Sequence, residues 1–241
     1  MTWLEGRIVE NKHWTDALFS LRVEGVSLSF ESGQFVRIAL DIAGERIARP
    51  FSMVNAPHDP VLEFYGIVVP EGPLSPRLAP LAPGDTLYVA SNPAGFLVLS
   101  EVPDAQTLWL LCTGTGIAPF LSILRTDAAW RRYRNVVLVH AVRHASELVY
   151  RETIESLPKL KYLKMVSREA APGALAGRIP AAVRDGRLEA AAGLALSAET
   201  SQVMLCGNPA MLKDAAAALL ERGMRKHRRR APGHITVESF W

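Results

Sequence analysis

Thr113-Gly114-Thr115-Gly116-Ile117-Ala118-Pro119 is the stretch whose residue types and spacing point most directly to chemistry. Two glycines one residue apart let backbone N–H groups approach a pyrophosphate, and the start of a helix favours that anion electrostatically. Such a loop needs a strand before it and a helix after it. Both are expected here, because Thr107–Cys112 is a continuous apolar run and Ile117–Arg125 reads as helical. Pro119 stands where a full G-x-G-x-x-G loop carries its last glycine, so a tight turn with no ligand gives the same pattern.

Arginines sharpen the first reading. An ordinary NAD loop is followed by an acid about 20 residues on, at the end of the next strand, which holds the ribose 2′-hydroxyl. In this chain the expected strand Asn135–Ala141 runs into Val142-Arg143, and the strand Lys161–Val166 runs into Ser167-Arg168. Arg178 follows in Gly177-Arg178-Ile179-Pro180. Guanidinium forks grip phosphate bidentately, so three arginines near strand ends favour NADP over NAD. Any one of them alone reads equally well as a surface arginine. A further group, Arg49-Pro50-Phe51-Ser52, sets a cation, an aromatic and a hydroxyl on one strand. Alternation puts Arg49 and Phe51 on one face and Ser52 on the other, and a plain strand edge looks the same.

The elements that must carry these groups fall into two rhythms. Up to about residue 100 the expected strands are short: Ala17–Val23, Gln34–Leu40, Val61–Val69 and Thr86–Ala90, the last opened by the turn Pro83-Gly84-Asp85. They predict an antiparallel barrel, with a helical turn or two over Pro73–Leu81. Beyond, buried strands alternate with helices: Ser146–Leu157 as helix, Gln202–Cys206 as strand, and Asn208–Arg222 as a helix with Asn as cap, Pro209 in first position and Gly223 as stop. That alternation predicts a doubly wound parallel sheet. The boundary is expected near residues 99–104, giving domains 1–100 and 101–241.

Composition excludes several classes. With 49% hydrophobic and 21% charged residues among 241, the chain can bury a core. It has no run of about 18 uncharged apolar residues, so no membrane span is expected. Residues 1–12 carry Glu5, Arg7 and Glu10, which argues against a secretory signal. Cys112 and Cys206 stand alone and the six histidines lack zinc-like spacing, so no metal site is expected and a cytoplasmic setting fits. Residues 1–99 hold 7 Lys and Arg against 11 Asp and Glu, a net of −4; residues 100–241 hold 20 against 13, a net of +7. A basic second half suits a phosphorylated ligand or an acidic protein, or is simply a solvated surface.

Taken in order, these motifs resemble the bacterial ferredoxin (or flavodoxin)–NADP reductases over essentially the full chain. Arg49-Pro50-Phe51-Ser52 is similar to the R-x-Y-S flavin motif, Thr113–Pro119 to the G-T-G-x-x-P loop, and Cys206-Gly207-Asn208-Pro209 to the C-G-x-P turn near the nicotinamide. Val237-Glu238-Ser239-Phe240-Trp241 resembles the family's acid-then-aromatic end with one extra aromatic. The resemblance implies a six-stranded antiparallel FAD barrel and an NADP(H)-binding α/β domain. It implies that Arg49 binds the FAD pyrophosphate, that Pro50 belongs to the cofactor-binding motif, that Phe51 stacks on the isoalloxazine and that Ser52 bonds near N5. Tyr65, Gly66, Ile67 and Val68 would cradle the ring and ribityl chain, with Leu74 and Ser75 at the diphosphate. Gly114, Thr115 and Gly116 would meet the NADP pyrophosphate, with Gly207 and Asn208 at the nicotinamide turn. Arg143, Ser167, Arg168 and Arg178 would grip NADP and its 2′-phosphate. Phe240 would cover the second flavin face and Trp241 would pack by the adenine, while Ser52, Cys206 and Glu238 would line the reacting site. Phe51 replaces the family's usual tyrosine, which removes one hydrogen bond of about 0.5–1.5 kcal/mol.

The implied reaction moves electrons between NADPH and a separate ferredoxin or flavodoxin, since two cysteines cannot hold a plant-type cluster. Arg225-Lys226-His227-Arg228-Arg229-Arg230, with Arg131, Arg132 and Arg134, offers an acidic carrier a docking surface. The run lacks interleaved aromatics, which argues against nucleic acid. Nothing in the sequence demands more than a monomer. Two other readings share the scaffold: an NADH:flavin or oxygenase-linked reductase, against which Arg168 and Arg178 speak, and a non-catalytic flavin or nucleotide sensor, against which Ser52, Cys206 and Glu238 together speak.

Overall fold

Short alternating segments separated by glycine and proline turns fold, up to Val98, into one antiparallel sheet with a single helical turn. In chain order they are β1 (Trp3–His13), β2 (Leu18–Glu24), β3 (Phe35–Ile42), β4 (Glu45–Ser52), β5 (Leu62–Ile67), α1 (Ser75–Leu78) and β6 (Thr86–Ala90). The computed structural model describes residues 2–239. Strand order in this sheet is β4-β3-β6-β1-β2-β5. The sheet curls on itself, because the residue after β4 bridges β5 at Met53–Phe64 and Val54 N–H donates to the Glu63 carbonyl at 2.8 Å. Inside lie Ile8, Phe19, Leu21, Ile38, Phe64 and Val89, each at most 1% exposed. Pro50 is tolerated in β4 because β4 is an edge strand in this order.

From residue 99 onward strands and helices alternate: β7 (Thr107–Thr113), α2 (Ala118–Leu124), α3 (Ala128–Arg132), β8 (Asn135–Val142), α4 (Arg151–Glu155), β9 (Leu160–Val166), β10 (Ala174–Ala176), α5 (Ile179–Arg184), α6 (Arg187–Ala192), β11 (Ser201–Gly207), α7 (Pro209–Glu221) and β12 (Ile235–Ser239). All pairings in this second sheet are parallel, in the order β10-β9-β8-β7-β11-β12. One face, carrying Trp109, Leu111, Val137, Val139, Val203 and Leu205, packs in one cluster with residues of α5, α6 and α7.

The chain divides into two compact units: residues up to 98 with 118–125, and residues 99–117 with those from 126 on. The division is not one cut in the sequence. Helix α2 belongs with the barrel: Ser122 Oγ donates to the Asn55 carbonyl at 2.7 Å, and Arg125 Nη1 donates to Glu63 Oε2 at 2.6 Å and to the Val54 carbonyl at 3.1 Å. Among the described residues no helix is long and apolar enough to cross a membrane.

Several elements differ from expectation. The helix expected over 146–157 is a 3-10 turn at Ala145–Glu147 and then α4, separated by Tyr150 in a left-handed conformation with φ 58°. Leu148, Val149 and Tyr150 are all buried, and packing them overrides helical continuity. Strand β1 carries charges along its length and buries only Gly6 and Ile8, so its sequence has no strand signature. Pairing with β2 on one side and β6 on the other makes it a strand.

Candidate functional site

Within the first unit, the end of β4 presents the Arg-Pro-Phe-Ser motif. Arg49 and Pro50 are exposed, Phe51 is half-buried and Ser52 is buried. Among the described residues Arg49 Nη1 bonds locally, to the Ala48 carbonyl at 2.7 Å. The Phe51 ring stands edge-on to Phe64, with centroids 6.4 Å apart and planes at 82°. A Cβ on Gly66 would lie 2.9 Å from Phe51 Cε1 and 3.0 Å from Phe19 Cζ, so only glycine lets the ring seat over this strand. Tyr65 is buried, while Ile67 and the following Val68 are half-buried. A flat apolar ring over a bare backbone, with an exposed cation two residues before it, can seat a planar heterocycle that bears phosphate, while Ser52 takes the next, buried position of the strand.

Nearby, α1 is braced from β1. Asn11 Nδ2 donates to the Ala79 and Leu81 carbonyls at 2.7 Å each, and His13 Nε2 lies 2.9 Å from the Ala79 carbonyl. The Ser75 hydroxyl accepts from Val69 N–H at 2.9 Å, and the Leu74 side chain is buried. Of the expected diphosphate contacts, Leu74 therefore has only its backbone to offer.

In the second unit, strand order reverses between β7 and β11, and ligands of doubly wound sheets bind outside the strand ends at such a point. Thr113 ends β7, and Gly114 to Ile117 form a 3-10 turn with Gly114 at φ 52°. A Cβ on Gly116 would sit 2.7 Å from the Cys206 carbonyl oxygen, and one on Gly207 would strike Thr113 Oγ1 at 2.2 Å. The two strand ends are thus in backbone contact, locked further by Asn208 N–H donating to Thr113 Oγ1 at 3.0 Å. The Asn208 side chain is spent as the cap of α7, its Oδ1 accepting from Ala210 N–H at 2.9 Å and Met211 N–H at 3.3 Å.

Arg143 and Arg168 follow the ends of β8 and β9, and Arg168 N–H donates to the Arg143 carbonyl at 3.0 Å. Gly177 N–H donates to the Val166 carbonyl at 2.9 Å, which brings Arg178 to the same strand ends. Ser167 Oγ turns back to the Val142 carbonyl at 3.2 Å. All three arginines are exposed, and none forms an ion pair among the described residues. The backbone bonds bring these three arginines to neighbouring strand ends, and guanidinium groups are suited to phosphate.

Cys206 and Glu238 are register partners on β11 and β12, and Cys112 flanks Cys206 on the other side. Cys206 is fully buried, and burial, with Glu238 and Cys112 nearby, pushes its thiol well above the ordinary range. It stays protonated. The same register row continues through His140 to Lys164, so five ionisable side chains stand side by side across the sheet. His140 was not anticipated as a site residue. One histidine in the run Asn135–Val142 was the available signal, but its partner, the Gly114 carbonyl at 3.1 Å, lies 26 residues away. Phe240 and Trp241 lie outside the described residues. Among those residues no group of three metal-ligating side chains occurs.

The docking expectation needs one correction. Arg132 donates to Asp104 Oδ1 at 2.5 Å and to the Leu99 and Val102 carbonyls. Arg229 is paired with Glu101, whose carboxyl is held below its usual range by that guanidinium. These two cations are tied to residues 99–104, while Arg225, Arg228 and Arg230 are exposed and form no ion pair among the described residues.

Comparison with known proteins places this geometry. The family described as oxidoreductase NAD-binding domain matches residues 110–217. A flavodoxin/ferredoxin–NADP reductase of Escherichia coli (strain K12) is 51% identical over 245 residues, covering 99% of both chains. A ferredoxin–NADP reductase of Pseudomonas aeruginosa is 37% identical over 247 residues, covering 96% of this chain and 95% of that one. The crystal structure of a ferredoxin NADP+ reductase from Neisseria gonorrhoeae with bound FAD and NADP superposes with a TM-score of 0.97 at 34% identity, covering both chains completely.

Proposed function

The chain belongs to the flavodoxin/ferredoxin–NADP reductase family, and from that premise we propose that it is an FAD enzyme that draws hydride from NADPH and delivers electrons to a separate ferredoxin or flavodoxin. The observation that carries the reading is the set Arg143, Arg168 and Arg178, three exposed cations that form no ion pair among the described residues and follow adjoining strand ends in the same unit as the Gly114–Ile117 turn. Fixed cations without internal partners are costly to gather unless a polyanion joins them, and a 2′-phosphate supplies that charge.

FAD, when bound, accepts the hydride and releases electrons one at a time. The chain's own residues bind and orient. Arg49 would neutralise the FAD pyrophosphate, Phe51 would stack on the ring, and Ser52 would donate toward its polar edge. Tyr65, Ile67 and Val68 line the strand beneath. Gly114, Thr115 and Gly116 would offer N–H groups to the NADP pyrophosphate, and Gly207 keeps the turn beside them clear of side chain. Cys206 holds its proton on Sγ, and Glu238 stands beside it as the nearest carboxylate in the row. Both cysteines are free, which fits a cytoplasmic setting.

The test is spectroscopic. The purified protein should show an FAD spectrum, bleach anaerobically with NADPH far faster than with NADH, and then reduce an added flavodoxin or ferredoxin. Protein that takes up no FAD, or that uses NADH as well as NADPH, overturns the reading.

A further inference from the structure

We infer that His140 is a positioning residue for the pyridine nucleotide: by anchoring the Gly114 carbonyl, it aims the Thr115 N–H at the pyrophosphate. The inference rests on the NADP(H) reading of the Gly114–Ile117 turn given above.

His140 lies on β8, fully buried, in a strand otherwise filled from Val136 to Val142 by apolar side chains. Its Nε2 is 3.1 Å from the Gly114 carbonyl oxygen. A carbonyl only accepts, so Nε2 carries the proton and Nδ1 holds a lone pair. Nδ1 is buried and has no partner among the described residues. A leucine here would avoid burying an unpaired acceptor, so packing alone does not account for the imidazole. What the imidazole adds is one directed bond to one peptide.

That peptide is the first of the turn. A trans peptide is planar, with its C=O and the following N–H pointing in opposite directions. Drawing the Gly114 oxygen toward His140 therefore turns the Thr115 N–H away from the sheet's interior. Gly114 reaches this orientation through a φ of 52°, which favours glycine. The ring cannot swing freely, because Cys112 and Lys164 flank it in register on β7 and β9. Gly116 packs on the Cys206 carbonyl, which fixes the far side of the same turn. One end is held by shape and the other by a hydrogen bond. A ligand that uses the pyrophosphate should feel the loss of that bond, whereas one that uses only the 2′-phosphate should not.

The experiment titrates FAD-loaded protein with NADP+ and, separately, with adenosine 2′-monophosphate, which lacks the pyrophosphate. His140→Leu should weaken NADP+ about tenfold and raise the KM for NADPH to match, with kcat within about twofold and the monophosphate unchanged. His140→Gln, which places an amide N–H near the position of Nε2, should recover NADP+ affinity to within about threefold. In the parent protein, 15N shifts should show the neutral Nε2–H tautomer from pH 8 to pH 5, a measurement that stands even if the leucine variant fails to fold. Equal weakening of both ligands, no rescue by glutamine, or an Nδ1–H or charged ring at pH 6.5 overturns the proposal. A parent that binds NADP+ with a leucine variant that matches it overturns the proposal alone; a parent that binds no NADP+ overturns the functional reading and this inference with it.

Discussion

Arg143, Arg168 and Arg178 stand at strand ends and form no ion pair among the described residues, the nearby Glu147 and Glu169 being bonded to the N–H groups of Arg143 and Ala145, whereas Arg132 and Arg229, in the same unit, are consumed by Asp104, Glu101 and the carbonyls of Leu99 and Val102. The second pair closes the segment that leads into β7. Guanidinium groups in one domain thus divide between holding the chain and waiting for an anion, and the difference lies in what the backbone offers nearby. Where the 3-10 turn at Leu99–Glu101 ends, the Leu99 carbonyl, which also accepts from Val102 N–H, and the Val102 carbonyl are acceptors that an arginine within reach bonds. Strand ends at β8 and β9 bond to each other through their backbones and leave the side chains outside. Substitution in the first set should therefore cost ligand and not stability; in the second set, the reverse.

The largest effect should come from the double variant Arg168→Ala with Arg178→Ala. Charge-assisted hydrogen bonds contribute about 1.5–3 kcal/mol each. Losing two should raise the KM for NADPH at least about 100-fold while the KM for NADH, which lacks the phosphate, moves less than about threefold. Urea unfolding should shift by no more than about 0.5 kcal/mol, as for surface sites with no internal partner. A large drop in stability with unchanged nucleotide selectivity would erase the distinction between the two sets.

His140 adds a third kind of cationic residue, one the fold keeps neutral. Burial lowers its pKa to about 4. The unfolded chain takes up this proton near pH 6.5 and the folded chain does not until about pH 4. Its contribution to stability is therefore complete above pH 6.5 and lost as pH falls toward 4. The loss reaches about 3 kcal/mol over that window. Unfolding free energies of the parent and His140→Gln, measured from pH 7.5 to 4.5, should differ in slope by about one proton. Parallel curves would show that the imidazole is charged in the fold.

Arg132→Ala comes next, at about 2 kcal/mol of lost stability for a partly buried guanidinium whose removal breaks the Asp104 pair and leaves the Val102 carbonyl without its donor. Nucleotide and carrier kinetics should hold. If instead the KM for the carrier rises while urea unfolding is unchanged, Arg132 belongs with the waiting arginines after all.

These contrasts show where sequence reasoning reached and where it stopped. The parallel sheet was legible because β7, β8 and β11 are apolar runs of strand length. The cap of α7 was legible because Asn208 and Pro209 act on their own helix. The strand-end arginines were legible for the same reason, since their place depends on the strand before them. Arg132 could not be told from Arg134 in the sequence, because its acceptors lie 28 to 33 residues away and sequence distance hides them. Gly66 read as one residue of a flavin strand, and its steric necessity appears only when β4 brings Phe51 over it. Barrel strand β1 has no alternation of its own and is defined by its neighbours.

The smallest expected effect concerns the basic run, where free and committed cations are neighbours. Arg225, Arg228 and Arg230 are exposed, while Arg229 between them is held by Glu101. Reversing the three to glutamate and sparing Arg229 should raise the KM for an acidic carrier about fivefold at low salt, an effect of about 1 kcal/mol that acts mainly through encounter. At 0.5 M salt the Debye length is roughly 4 Å, so the parent and the triple variant should converge. Arg229→Glu should behave differently: it sets two carboxylates against each other, and urea unfolding should report the cost at any salt concentration used for the carrier assay. If the triple variant matches the parent at low salt, the carrier docks elsewhere, and the free charges of this run have no part in steering it.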